Sequence, residues 1–146
     1  FESAEGDDFA LYGYGWGLEG YQNYRGKTKD KIACLSNFRF TIIYENSCNI
    51  NGYISEKIFD SFAALSVPVY WGASNVTQFI PQECFISREQ FNSDAELHRF
   101  LKEMDASTFA TYQNHIRAYL PSPEAQRFSH QAFGKTLTDA VLELVE

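Results

Sequence analysis

Between Tyr44 and Lys57 the chain reads Tyr-Glu-Asn-Ser-Cys-Asn-Ile-Asn-Gly-Tyr-Ile-Ser-Glu-Lys, and Glu45, Asn46, Tyr53, Glu56 and Lys57 within it can each hydrogen-bond a sugar or a phosphate. Glu56 and Lys57 open an amphipathic stretch that has the spacing of a helix. The first turn of a helix leaves backbone N–H groups unpaired at its positive end, so an anion docked there gains both those donors and a full charge from Lys57. Glu56 cannot serve a phosphate. A carboxylate beside a nucleotide accepts hydrogen bonds from ribose or sugar hydroxyls instead. The same two residues also fit an ordinary helix start, with Glu favourable to the dipole and Lys in solvent. Glu45 and Asn46 follow an apolar run, where polar side chains either cap a loop or face a ligand. Tyr53 can stack on a base, bond a sugar, or pack.

Other candidates are weaker. Gly13-Tyr14-Gly15-Trp16-Gly17 offers backbone freedom and close approach, but the spacing is neither a P-loop nor a full G-x-G-x-x-G, and a plain turn uses the same glycines. Arg25, Lys27, Lys29, Lys31 and Arg39 gather upstream of Tyr44, as a solvated loop or with one or two of them near a phosphate. Tyr70 and Trp71 close a strand and would line the same crevice, although core packing suits Trp71 as well. His98, His115 and His130 have no Cys or acidic neighbour at metal-ligand spacing and read as surface or packing residues. Asp7-Asp8 resembles a metal-binding acidic pair but sits in a polar terminus. Cys34, Cys48 and Cys84 are odd in number and fit no CxxC or zinc pattern, so free, wholly or partly buried thiols are expected, as in a reducing compartment.

The elements that must position these groups follow from periodicity. Phe9 to Tyr12 reads as a short strand before the glycine loop, and residues 18–36 as a loop with one turn of helix. Asn37 to Tyr44 is β-branched and aromatic, and its last part suits a central parallel strand buried on both faces. Tyr53 to Leu65 places Ile54, Ile58, Phe59, Phe62 and Leu65 on one helical face. Val67 to Trp71 is the next strand, with Pro68 tolerated near its beginning. Strand, helix and strand make a βαβ unit with parallel strands, which puts a ligand at their carboxyl ends. Asn75 to Ile80 is one helical turn, Cys84 to Ile86 a third strand, and Asp94 to Met104 a helix capped by Ser93. Ser107 to Leu120 is a helix capped by Ser107 or Asp105, Ser122 and Pro123 start another, and Phe133 to Val145 is the last, with Leu137, Val141 and Leu144 in phase.

At 146 residues, 45% hydrophobic and 16% aromatic, the chain can bury a core as one domain. A formal charge of -7 argues against nucleic acid as a partner. No apolar run reaches the length of a membrane span, and no basic segment followed by an apolar one marks a signal peptide. Phe1 is not an initiator Met, which fits a chain processed or cut from a longer protein.

Phe40 to Lys57, followed by Val-Pro-Val-Tyr-Trp-Gly-Ala, Phe-Ile-Pro and Cys-Phe-Ile in order, resembles the donor-binding half of the α-1,3/1,4-fucosyltransferases, glycosyltransferase family 10, from about residue 9 to about residue 120. The glycine loop at Gly13 and Gly15 is also similar. The resemblance implies the C-terminal half of an inverting, two-domain GT-B enzyme: an α/β, Rossmann-like parallel sheet flanked by helices, with a helical C-terminal tail. It implies GDP-fucose as donor substrate, no required cofactor or metal, and a glycan acceptor held by an N-terminal domain. By position, Lys57 would contact the pyrophosphate. Asn46, Tyr53 and Glu56 would contact fucose or ribose, and Glu45 and Ser47 would support the loop. Two departures stand out. The base-bearing N-terminal domain is absent, and nothing here matches the family arginine that precedes the glycine loop, so the fragment is expected to be inactive alone. Ser55 replaces the commoner Thr.

The Tyr-Trp-Gly-Ala wording is closer to bacterial members, for which a cytoplasmic or inner-membrane-associated location follows; a eukaryotic member would lie in the Golgi lumen. Two other readings stay open: the donor domain of a different nucleotide-sugar transferase, and a noncatalytic interaction module on the same fold.

Overall fold

The computed structural model describes residues 9–15 and 20–144. Asp7-Asp8 and the Trp16-Gly17 end of the glycine loop lie outside the described residues. The elements run α1 (Lys31–Leu35), β1 (Phe40–Tyr44), α2 (Glu56–Ala63), β2 (Val67–Trp71), β3 (Ile86–Ser87), α3 (Asp94–Glu103), α4 (Ala106–Tyr119), α5 (Pro123–Gln126) and α6 (His130–Glu143), with short 3-10 turns at Val76–Gln78, Gln82–Cys84 and Arg88–Gln90. The three strands form one parallel sheet in the order β1-β2-β3, with Tyr44 opposite Trp71 at the carboxyl edge.

The βαβ unit is present as its pattern requires, but its burial differs from expectation. β2, not β1, is the central strand. Val67, Val69 and Tyr70 are buried, whereas β1 lies at the sheet edge and buries Ile43 alone. Thr41 at the edge is instead bonded to Ser66, hydroxyl to hydroxyl, at 2.7 Å. Phe9 to Tyr12 does not form a strand: Leu11 makes a single parallel bridge to Tyr24. The third strand starts two residues late because Gln82–Cys84 is taken into a 3-10 turn.

The core is continuous. Ile58 and Phe62 of α2 and Leu97 of α3 pack with Ile116 and Tyr119 of α4 around β2, all at most 5% exposed. Phe62 meets Phe59 and Tyr119 edge-to-face at 6.0 Å each. The helices from α2 onward each start on a polar cap: Ser55 on α2, Ser93 on α3, Asp105 on α4, Ser122 on α5 and Ser129 on α6. Asp105, rather than Ser107, caps α4. α6 begins three residues before Phe133 and buries none of its residues; Phe133, Leu137, Val141 and Leu144 are in phase but exposed.

Candidate functional site

The site is built where β1 and β2 end. Beyond β1 the chain turns through a loop, and Ser55 takes an extended conformation (φ -94°, ψ 178°) that starts α2. Its hydroxyl accepts the Lys57 N–H at 3.4 Å and donates to the carboxylate of Glu45, whose two oxygens lie at 2.9 and 2.8 Å. The Ser55 N–H donates to the same carboxylate at 2.9 Å. Glu45 thus sits beneath the helix start with its side chain wholly buried. Burial works to raise its pKa. The bonds from Ser55 and Lys57 outweigh burial and hold it below the ordinary carboxylate value.

Lys57 completes the group. Its Nζ lies 3.0 Å from Glu45 Oε2 and donates at 3.1 Å to Asn46 Oδ1, with its side chain 29% exposed. An ammonium has three donors. Two are used on Glu45 and Asn46, which fixes its direction and leaves the third without a partner among the described residues. Glu56, first residue of α2, is exposed, and its side chain bonds none of the described residues. Asn46 and Tyr53 are also exposed. Asn46, Lys57 and the buried Glu45 are therefore in direct contact, and Glu56 and Tyr53 flank them along the chain.

Not every expected residue joins them. Ser47 is exposed, and its hydroxyl bonds no described residue. Gly13 is held instead to Gly26 and to the Tyr24 hydroxyl; these bonds do not reach residues 45–57. Gly13 (φ 142°) and Gly15 (φ 91°) do adopt the positive-φ conformations that suit glycine. The basic cluster is largely committed elsewhere. Lys31 pairs with Asp60, Arg39 bonds Met104 O and lies over Phe109, and Lys27 lies over Tyr14. Tyr70 is buried, accepts the Ala73 N–H at 3.1 Å and donates to Tyr53 O at 3.4 Å, and with Trp71 and Gly72 it borders a cavity of about 90 Å³ at the carboxyl end of β2. Trp71 is not core. It is 39% exposed at the carboxyl edge, edge-to-face with Tyr44 at 5.3 Å. A strand's last side chain has no following layer to cover it, which the apolar pattern does not reveal. Burial raises the Tyr44 pKa, and Asp94 adds to the shift; Arg88 bonds the hydroxyl in opposition.

Among the described residues no cluster of His, Cys, Asp and Glu could hold a metal, and no helix is long and apolar enough to cross a membrane. Cys34 and Cys48 are half-buried and Cys84 is buried, all free; burial pushes Cys84 up to about 11. A cavity of about 490 Å³ lies between α4 and the turns after β2, lined by residues such as Phe79, Pro81, Cys84 and Tyr119. None of the candidate donor residues lines it, so its size says nothing about them.

The chain matches the family model described as glycosyltransferase family 10 (fucosyltransferase), C-term, over residues 9–135. It is 39% identical over 97 residues to the mouse 4-galactosyl-N-acetylglucosaminide 3-alpha-L-fucosyltransferase 9, covering 65% of this chain and 26% of that protein. Against the Arabidopsis thaliana alpha-(1,4)-fucosyltransferase it is 33% identical over 94 residues, covering 64% and 23%. The chain thus spans about a quarter of the length of the curated relatives it matches. A crystal structure of an α1,3-fucosyltransferase with GDP superposes with a TM-score of 0.57 at 24% identity, over 64% of this chain and 28% of that one. Another with GDP-fucose gives 0.56 at 22%, over 66% and 32%. At such identities these two show a shared fold. With a family match over residues 9–135, most of its length, the chain belongs to glycosyltransferase family 10, the fucosyltransferases.

Proposed function

We propose that the chain is the donor-binding domain of an inverting α-1,3/1,4-fucosyltransferase, with GDP-fucose as its ligand. The observation that supports this most is the Lys57 ammonium, held by Glu45 and Asn46 at the start of α2 on the carboxyl edge of the sheet. A diphosphate placed there meets the third Lys57 donor and the free N–H groups of the first turn. The exposed Glu56 carboxylate accepts hydroxyls of ribose or fucose, and Asn46 and Tyr53 border the sugar. In the transfer step an acceptor hydroxyl attacks the anomeric carbon, its proton passes to a carboxylate base, and the C–O bond to GDP breaks. Charge then grows on the leaving diphosphate, and a preoriented Lys57 stabilises it more in the transition state than in the ground state.

The base and the acceptor pocket are assigned to a further domain of the full-length protein, so this chain alone binds donor without transferring fucose. Calorimetric titration with GDP, GDP-fucose, GDP-mannose and UDP tests the reading. GDP-fucose is expected to bind best and GDP to bind better than UDP. A preference for UDP would transfer the chain to another nucleotide-sugar class.

A further inference from the structure

Four hydrogen bonds join the donor loop to the end of β2 and the turn that follows it, about 23 residues later in the chain. Glu45 N–H donates to Trp71 O at 2.9 Å, and Asn49 N–H to Gly72 O at 3.0 Å. The Ser74 hydroxyl donates to Asn51 Oδ1 at 2.9 Å, and Gly52 N–H to Asn75 Oδ1 at 2.8 Å. The loop needs such a template. Asn49 (φ 60°) and Gly52 (φ 76°) are both left-handed, a shape that an unpinned chain of these residues does not keep.

Gly72 is the point where the supports converge. A Cβ on it would stand 2.5 Å from the Tyr70 hydroxyl oxygen and 2.6 Å from Glu45 Cγ. Glu45 is the group that orients Lys57, and the Tyr70 hydroxyl is bonded to Tyr53 O. A shift at Gly72 is therefore passed to Lys57 through one neighbour and to Tyr53 through the other. We propose that the Gly72–Asn75 turn is the template of the donor loop, with Gly72 and Asn75 as positioning residues that set Lys57 and Tyr53 without touching the donor. This rests on the donor-site reading above.

The test uses the full-length protein that carries this chain, with GDP as the probe. Asn75→Ala removes the acceptor of the Gly52 N–H from a bond near the surface. GDP affinity is expected to fall about three- to tenfold, Gly52 amide exchange to accelerate, and the thermal midpoint to stay nearly unchanged. Asn75→Asp keeps an acceptor oxygen and restores slow exchange at Gly52. Gly72→Ala loses both affinity and thermal stability, because its contacts are with a buried carboxylate and a buried ring. Loss of affinity in Asn75→Ala matched by a drop in midpoint, with no recovery of Gly52 protection in Asn75→Asp, overturns the proposal in favour of a purely structural turn. A parent that binds GDP beside an Asn75→Ala variant that binds equally well sinks the inference alone. A parent that takes no GDP sinks the donor-site reading and this inference with it.

Discussion

Lys57→Ala separates two effects that the sequence alone would merge. Reasoned from the sequence, loss of this lysine should weaken GDP binding with little change in stability, since a first-turn lysine is normally solvated. The structure changes the second half of that statement. Lys57 is the charge partner of a carboxylate whose side chain has no exposure. Removing one member of a fully buried pair costs about 3–5 kcal/mol, and an exposed pair contributes at most about 1 kcal/mol. This pair lies between those limits. The lysine is 29% exposed, and Glu45 keeps its bonds from the Ser55 N–H and hydroxyl. A loss of about 1–3 kcal/mol follows, which lowers the melting midpoint by roughly 2–4 °C per kcal/mol. GDP affinity should fall separately by about 1.5–3 kcal/mol, or roughly 10- to 150-fold, the range for a charge-assisted hydrogen bond. The double variant Glu45→Gln/Lys57→Ala distinguishes the two. The introduced amide keeps an oxygen for Ser55 but leaves no unpaired charge, so stability is expected to return while GDP affinity stays low. Calorimetric titration and thermal melts of the single and double variants read both quantities. If GDP affinity returns together with stability, Lys57 only neutralises Glu45 and the reasoning about phosphate is refuted.

Further outcomes follow from the same contacts. The folded pKa of Glu45 lies below its ordinary 4.5, so the unfolded chain binds more protons in acid; the stability it contributes is complete above about 4.5 and is lost as pH falls through the lower folded value. Melts between about pH 7 and pH 3 should show a steep acid limb that Glu45→Gln flattens; an unaltered limb would contradict the assignment. Phe62→Ala removes a fully buried ring from between Phe59 and Tyr119, and urea titration should register about 3–5 kcal/mol. Cys84, buried and pushed up to about 11, should resist iodoacetamide in the native protein while Cys34 and Cys48 are labelled, as mass spectrometry would show. Leu137→Glu on the uncovered face of α6 should change the stability of this chain by less than about 0.5 kcal/mol, measured by denaturant titration.

Local chemistry made some of the molecule legible in advance. The spacing of Ile58, Phe59 and Phe62 demands a helix. Val67 to Trp71 leaves little but a buried strand, and Ser93 and Ser122 can hardly sit anywhere except at helix caps. These signals act over one or two turns of chain. Where the expectations failed, the deciding contact was distant in sequence. Nothing within Phe9 to Tyr12 says that its one bridge among the described residues is to Tyr24, too short a pairing to make a strand. The apolar run Thr41 to Tyr44 does not disclose that β2, with four buried residues to its one, takes the centre of the sheet. The in-phase apolar residues of α6 promise a packed face, yet periodicity specifies a stripe and not what covers it.

The candidate site shows the same division more sharply. Residue types at Glu45, Asn46, Glu56 and Lys57 suggest a ligand, but the roles depend on a geometry that spacing cannot supply. Glu45 could have faced outward as easily as Glu56 does. It is turned inward because Ser55, ten residues on, offers it an N–H and a hydroxyl together, and because Gly72 leaves room for its Cγ. Once inside, a carboxylate requires a cation, and Lys57 supplies it. The buried acid thus aims the lysine above it. A lysine held from below by two acceptors has lost rotamer freedom before any diphosphate arrives, so less entropy remains to be lost on binding. Under the proposed donor-binding reading, that is a reason to keep a charged pair beneath this loop although, for folding alone, an apolar pair of similar volume would serve at least as well.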